Sequence, residues 1–388
     1  VTALLILLLV IGGVVFRVLS PEERRRLLNV TIEALRELRG IRSRIKPCEP
    51  FRTHLRERTP RVFVAPLLLV LTVALFVAAD VQALGNFGPS TTNGEWWRLL
   101  TATFVHAGTL HLLVNVIGLA PAAFLLERLV GHAALGGVFV AAGVMSGLVG
   151  LSANPVEMNV GASGAIFGVY GLLAATLAAG WLRRSPLTIP LLALKRLSPA
   201  AALFLLYNVG DGGFEASEMM GLATGLGCGG VLTSGLAERK PPIRRTAGTV
   251  AAMLVVAVAS AASMSAIADV RPELARVLAI EKQTATSYAS AVDGLRKGRL
   301  QPEALVKLIE DTIAPELAAV SERFAALEGV PSQQRPLVSH AEDYLRLRRE
   351  SWRLRAEGLR TANMLRLRQA ERTERESLAA LGKIKPAG

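Results

Sequence analysis

Apolar residues in this 388-residue chain gather in long uninterrupted blocks, with almost no strand-like alternation. Blocks near 1–19, 63–79, 108–126, 133–151, 162–182, 197–209, 217–237 and 247–268 each approach the roughly 20 residues that cross a hydrocarbon core as a helix. Lys195 and Arg196 cut the sixth block short, and the first is marginal in uninterrupted length. The pattern predicts eight spans and an all-α polytopic membrane protein. Beyond residue 270 the blocks stop and a polar helical pattern begins. Pro302 and Pro336 suit first-turn positions, and Gly329-Val330-Pro331 is a stop signal. Three helices near 272–299, 302–328 and 336–380 are predicted there. In the last, Leu345, Trp352 and Leu359 recur every seven residues as an apolar seam. Arg346, Arg348, Arg349, Arg353, Arg355 and Arg360 are assigned to its solvated faces.

Charge placement orients the spans. The segment 17–62 and the connections 127–132, 183–196 and 238–245 hold nearly all the Lys and Arg of the first 270 residues. The opposite connections hold Arg98 against the acids Asp80, Glu95, Glu157, Asp211, Glu215 and Glu218. Basic loops stay on the cytoplasmic side, so both chain ends are expected outside. The net charge of +13 therefore reflects topology and attraction to anionic headgroups, and nucleic acid is not an expected partner. A cleavable-leader reading of 1–19 is disfavoured, because no small-x-small site follows it. Four regions result. Residues 1–62 are an anchor with a basic cytoplasmic segment, opening a helix at Pro21. Residues 63–237 hold six spans, residues 238–270 a basic loop and an extra span, and residues 271–388 an outward-facing helical domain. Two cysteines, Cys48 and Cys228, fall on different levels of this topology, so neither a disulfide nor a metal site is expected.

Small and polar residues inside the spans carry the candidate chemistry. Gly161, Gly164, Gly168 and Gly171 lie on one helix face, and Gly221, Gly225 and Gly229 on another. Such spacing lets two helix backbones approach closely, whatever else the helices do. Ser163 stands among the first set. His111 and Asn115, four apart, share one face of the second span of the 63–237 region. They serve either as structural hydrogen-bonding groups or as donors aimed at an oxyanion. Trp97 and Arg98 have the character of an interfacial anchor.

Trp97-Arg98, His106, His111-x-x-x-Asn115, Glu127, Gly161-Ala162-Ser163-Gly164 and the Gly221/Gly225 ladder together resemble the rhomboid family of intramembrane serine proteases. The resemblance covers about residues 63–237. It implies a six-helix core with a cavity open to the outside, flanked here by an N-terminal and a C-terminal extra transmembrane helix and a C-terminal helical soluble domain. It also implies Ser163 as nucleophile, with His111, Asn115 and the Ser163 amide as oxyanion donors. Trp97, Arg98, His106, Glu127 and the glycines 161, 164, 168, 221 and 225 would be structural. No cofactor is implied. The partners would be transmembrane protein clients in the bilayer, expected in a bacterial plasma membrane, and the 271–388 domain offers a surface for a soluble partner.

One position departs from the pattern. The family's general-base histidine stands three residues before the first ladder glycine, and here that residue is Glu218. The five histidines are His54, His106, His111, His132 and His340, none of them between 133 and 339. Two readings follow: a client-binding scaffold with lost or strongly reduced proteolysis, or an active serine endopeptidase using Ser163 with a non-standard base.

Overall fold

The structure is a computed structural model that describes residues 49–182, 189–210, 214–236 and 239–384. The first predicted span, the Pro21 helix start and Cys48 lie outside the described residues. The chain divides into two compact units between Met264 and Ser265.

In the first unit α1 (Glu49–Arg58) is amphipathic. It is followed by α2 (Val64–Ala78), α3 (Thr109–Val130), α4 (His132–Ala153), α5 (Ser163–Leu182), α6 (Leu191–Gly210), α7 (Ala216–Leu232) and α8 (Ile243–Ala262). Of these, α3, α4, α5 and α8 are long and apolar enough to cross a membrane by length and composition, and α2 is a shorter apolar helix. The fold is all-α and polytopic. Buried leucines, valines and phenylalanines of α2 to α7 form one core, with Leu69, Leu119, Leu126, Leu135, Phe139 and Phe204 fully enclosed. Prolines 121 and 199 sit inside α3 and α6. Neighbouring helices re-satisfy the backbone groups that a proline frees in such bundles.

The glycine faces of α5 and α7 meet. A Cβ on Gly221 would collide with the Gly164 carbonyl oxygen, and one on Gly225 with that of Gly168. Backbone thus rests directly on backbone, and the pairing order (164 with 221, 168 with 225) makes the two helices parallel. At the base-rich end, the Glu127 carboxylate closes the start of α2. It accepts the amides of Phe63 (2.8 Å), Val64 (2.8 Å) and Ala65 (2.7 Å), the unsatisfied donors of a helix N-terminus. His132 Nδ1 lies 2.6 Å from the same carboxylate. The extra span α8 packs on α4: a Cβ on Gly137 would strike the Val250 side chain. Ala257 and Ala261 of α8 reach Trp96 and Leu99 of the α2–α3 connection.

The second unit is a helical bundle of α9 (Arg271–Arg296), α10 (Pro302–Leu308), a π-turn (Ile309–Ile313), α11 (Ala314–Ala325), α12 (Arg335–Arg360) and α13 (Met364–Gly382). The single helix predicted over 336–380 is in fact two. Ala362 takes a left-handed φ of 51°, and Asn363 Oδ1 caps the new helix by accepting the Leu365 (2.9 Å) and Arg366 (3.3 Å) amides. The chain then doubles back, Leu367 lying against Gly358. Leu345 and Trp352 of the predicted seam are buried. Arg348, assigned to a solvated face, is buried as well, since Glu281 of α9 and Glu374 of α13 accept its hydrogen bonds.

Candidate functional site

The α2–α3 connection folds back over one end of the bundle, because Arg98 ties it down. Its Nη1 donates to the Gln82 and Gly85 carbonyls at 2.9 Å each, and its guanidinium also pairs with Glu95. Trp97 stays about half exposed, with the Arg98 guanidinium 5.0 Å from its ring. Trp96 packs inward toward α8. A two-residue antiparallel ladder, Asn86 with Asn159 and Phe87 with Met158, joins this connection to the segment before α5. The Gly161 amide adds a hydrogen bond to the Ala102 carbonyl at 3.0 Å. The turn that presents Ser163 is therefore held on both sides. Gly161 is required there twice over. Its φ is +106°, and a Cβ would fall 2.6 Å from the His111 ring.

Ser163 opens α5 on the wall of a cavity of about 250 Å³. His111, Gly161, Gly164, Ser146, Ser217 and Glu218 share that wall. Position 218 shares the cavity with Ser163 for a geometric reason. Gly221 is seated on Gly164, so the preceding turn of α7 lies beside the first residue of α5. Glu218 is 6% exposed in that turn. Two more carboxylates, Glu157 and Glu215, also line the cavity.

His111 is the one imidazole among the lining residues, and its ring stacks with Tyr207 at 6.1 Å. Asn115 lies one turn further along α3, behind the lining residues. It is 2% exposed, and its Nδ2 has no hydrogen-bond partner among the described residues. His106 is also off the wall. Its Nδ1 lies 3.2 Å from the Phe104 carbonyl and its ring 5.0 Å edge-on to His111. It buttresses His111 without reaching Ser163's cavity.

Residues that sequence reasoning passed over also shape this space. Asn86 is fully buried, donating to the Gly147 carbonyl at 3.0 Å and accepting from Thr91 Oγ1 at 2.8 Å. Ser146 presses on Gly164, where a Cβ would collide with its hydroxyl. Asn86 stands in a stretch with no helical or strand period, and Ser146 among small residues of an apolar span. Neither had a local signal.

A nucleophile-type hydroxyl, a half-buried imidazole and a buried carboxylate thus meet in a pocket at one end of a membrane bundle. The Rhomboid domain family model matches residues 93–239, which includes all of these groups. Residues 93–239 are a rhomboid domain. The Bacillus subtilis (strain 168) protein YdcA is 34% identical over 130 residues, covering 32% of this chain and 65% of that protein. "RHOMBOID-like protein 5" of Arabidopsis thaliana is 36% identical over 90 residues, covering 23% of this chain and 29% of its own length. "Rhomboid protease GluP" of Bacillus subtilis (strain 168) is 31% identical over 118 residues, 28% of this chain and 23% of that protein. The chain therefore spans less than two thirds of each of these relatives. Outside the rhomboid domain fall α1, α2, α8 and the whole second unit.

Proposed function

We propose that this chain is a rhomboid scaffold that binds transmembrane clients and has lost, or strongly reduced, proteolysis. The observation that supports the reading is the seating of Gly221 on Gly164, with Glu218 rather than a histidine lining the cavity that Ser163 also lines.

The chemistry of a carboxylate at that place opposes turnover. A general base must take the serine proton and then return it to the leaving amine, which suits a group titrating near neutrality. Ionised, Glu218 would repel the oxyanion that forms at the neighbouring Ser163. Protonated, it could not accept the hydroxyl proton at all. Loss of one member of a serine catalytic unit costs several orders of magnitude, with the oxyanion site leaving a residual rate. Retention of Ser163, His111 and Asn115 supports a site that still fits a strained peptide segment. We infer that His111, Asn115 and the Ser163 amide would serve as its donors.

The test is activity-based labelling of the full chain in detergent micelles. Wild type should not label at Ser163 with a fluorophosphonate, and Glu218→His should restore labelling and cleavage of a model transmembrane substrate. Robust wild-type labelling, abolished by Ser163→Ala, would refute the inactive reading and establish the alternative, an active endopeptidase with a non-standard base.

A further inference from the structure

Within the second unit a groove of about 1140 Å³ runs between α12 and the π-turn with α11. That exceeds the roughly 300–1,000 Å³ of a small-molecule pocket. Along the α12 side stand Asp343, Arg346, Glu350, Arg353, Glu357 and Arg360. Steps of three and four residues put all six on one face of the helix, over about 26 Å of its length. Along that face acid and base alternate without exception. We propose that this face is the interface of a two-fold dimer, in which the α12 helices of two copies of the chain run antiparallel along each other's groove.

An even, alternating stripe is complementary to its own reverse. With the two-fold axis midway between positions 350 and 353, Asp343 faces the second copy's Arg360, Arg346 its Glu357 and Glu350 its Arg353. Symmetry repeats each pair, giving three attractive pairs on either side of the axis. Laid parallel and in register, every position would meet its own kind, so the pattern also fixes the orientation. Charges flanking the seam of paired helices choose partner and direction in this way. The rest of the groove is close to neutral: Glu310 and Glu342 add two acids and Arg349 one base. In a chain of net charge +13, such a face does not suit a polyanion, whereas it matches a copy of itself. Within one copy the same charges already form exposed pairs. Arg346 meets Asp343 at 2.8 Å, Arg353 meets Glu350 at 2.7 Å, Glu357 meets Arg366 at 3.1 Å, and Arg360 pairs with Glu310. These do not exclude the dimer. A guanidinium carries five donors and a carboxylate about four acceptor sites, so each group can hold one partner on its own chain and one across the axis.

The test is the oligomeric state of the full chain in a neutral maltoside detergent, read by analytical ultracentrifugation. Wild type should show a monomer–dimer equilibrium. One exposed pair is worth little, so the variants reverse two charges per copy. Arg346→Glu with Arg353→Glu makes the stripe mainly acidic, and Glu350→Arg with Glu357→Arg makes it mainly basic. Each should weaken its own dimer at least about 100-fold, because four of the six pairs become repulsive. Mixed together, the two variants should form a heterodimer about as tight as wild type, since every stripe position again faces its opposite. Charges that only supported their own helix would not give this rescue. A second measurement needs no charge reversal to fold: in membranes holding both, an Asp343→Cys copy should cross-link to an Arg360→Cys copy, and neither to itself. Wild type that stays monomeric up to about 100 μM overturns the proposal. So do variants that dimerise as wild type does, a mixture that stays monomeric, or Asp343→Cys copies that cross-link to each other.

Discussion

Replacing Arg348 with methionine should be far more damaging than any other arginine change on α12. The guanidinium is 2% exposed and stands between two helices that supply its counterions. Nε and Nη2 donate to Glu281 at 2.8 Å each, and Nη1 donates to Glu374 at 2.6 Å. Burial pushes the Arg348 guanidinium down, but the charges of Glu281 and Glu374 outweigh it and hold it above its ordinary value. Methionine fills the volume and strands the carboxylates. Glu281 keeps only the Tyr344 hydroxyl at 2.6 Å among these partners, and Glu374 keeps Arg355 at 2.5 Å. Breaking a buried pair from one side costs about 3–5 kcal/mol. For a unit of this size that is a fall in Tm on the order of 10–20 °C. Trp352, whose ring lies 4.7 Å from the guanidinium, reports the transition once Trp96, Trp97 and Trp181 are changed to phenylalanine. Arg353→Met is the control. Its side chain is 63% exposed and pairs with Glu350, which should place its cost below about 1 kcal/mol. Adding Glu281→Met to Arg348→Met should recover much of the loss, because one stranded charge is removed. Equal stability of the Arg348 and Arg353 variants would refute the reasoning.

The same network fixes an acid limit. Burial raises the Glu374 carboxyl, yet the bonds and charges of Arg348 and Arg355 hold it below the usual range. Its contribution is complete above the unfolded value of about 4.3 and lost as pH falls through the lower folded value. The Trp352 denaturation midpoint should therefore drop only below about pH 4, and a decline beginning above pH 6 would contradict this. Glu127→Ala leaves three α2 amides without their acceptor and should lower stability in detergent by about 3 kcal/mol, read by thermal unfolding. A loss under about 1 kcal/mol would mean that water replaces the carboxylate. Gly221→Val drives a side chain into the Gly164 carbonyl and should cost at least about 1–3 kcal/mol in the same assay. Gly227→Ala, on a face that meets nothing within 4 Å, should be neutral.

What was legible along the chain was whatever repeats locally. The apolar blocks located α2 to α8 because hydrocarbon thickness sets helix length, and glycines at three- and four-residue spacing announced a close helix pair. The tail was less transparent. The turn at 361–363 contains neither Gly nor Pro, so only Asn363 hinted at it, and one continuous helix looked equally good. Arg348 followed the rule that arginines face water. Its burial depends on Glu281, 67 residues away, and no local pattern encodes that partner.

Sequence by itself therefore determined the membrane class, the basic face, the candidate nucleophile Ser163 and the anomaly at position 218. Each of these is a property of residue type and spacing within one helix or one loop. Only the tertiary structure decided that Glu218 shares a cavity with Ser163, that His106 stands behind His111, and that the alternating charges of α12 line a groove. Those outcomes depend on which helix backbones touch. In this chain the contact is set by glycines whose missing side chains let α5 and α7 meet, carbonyl against Cα.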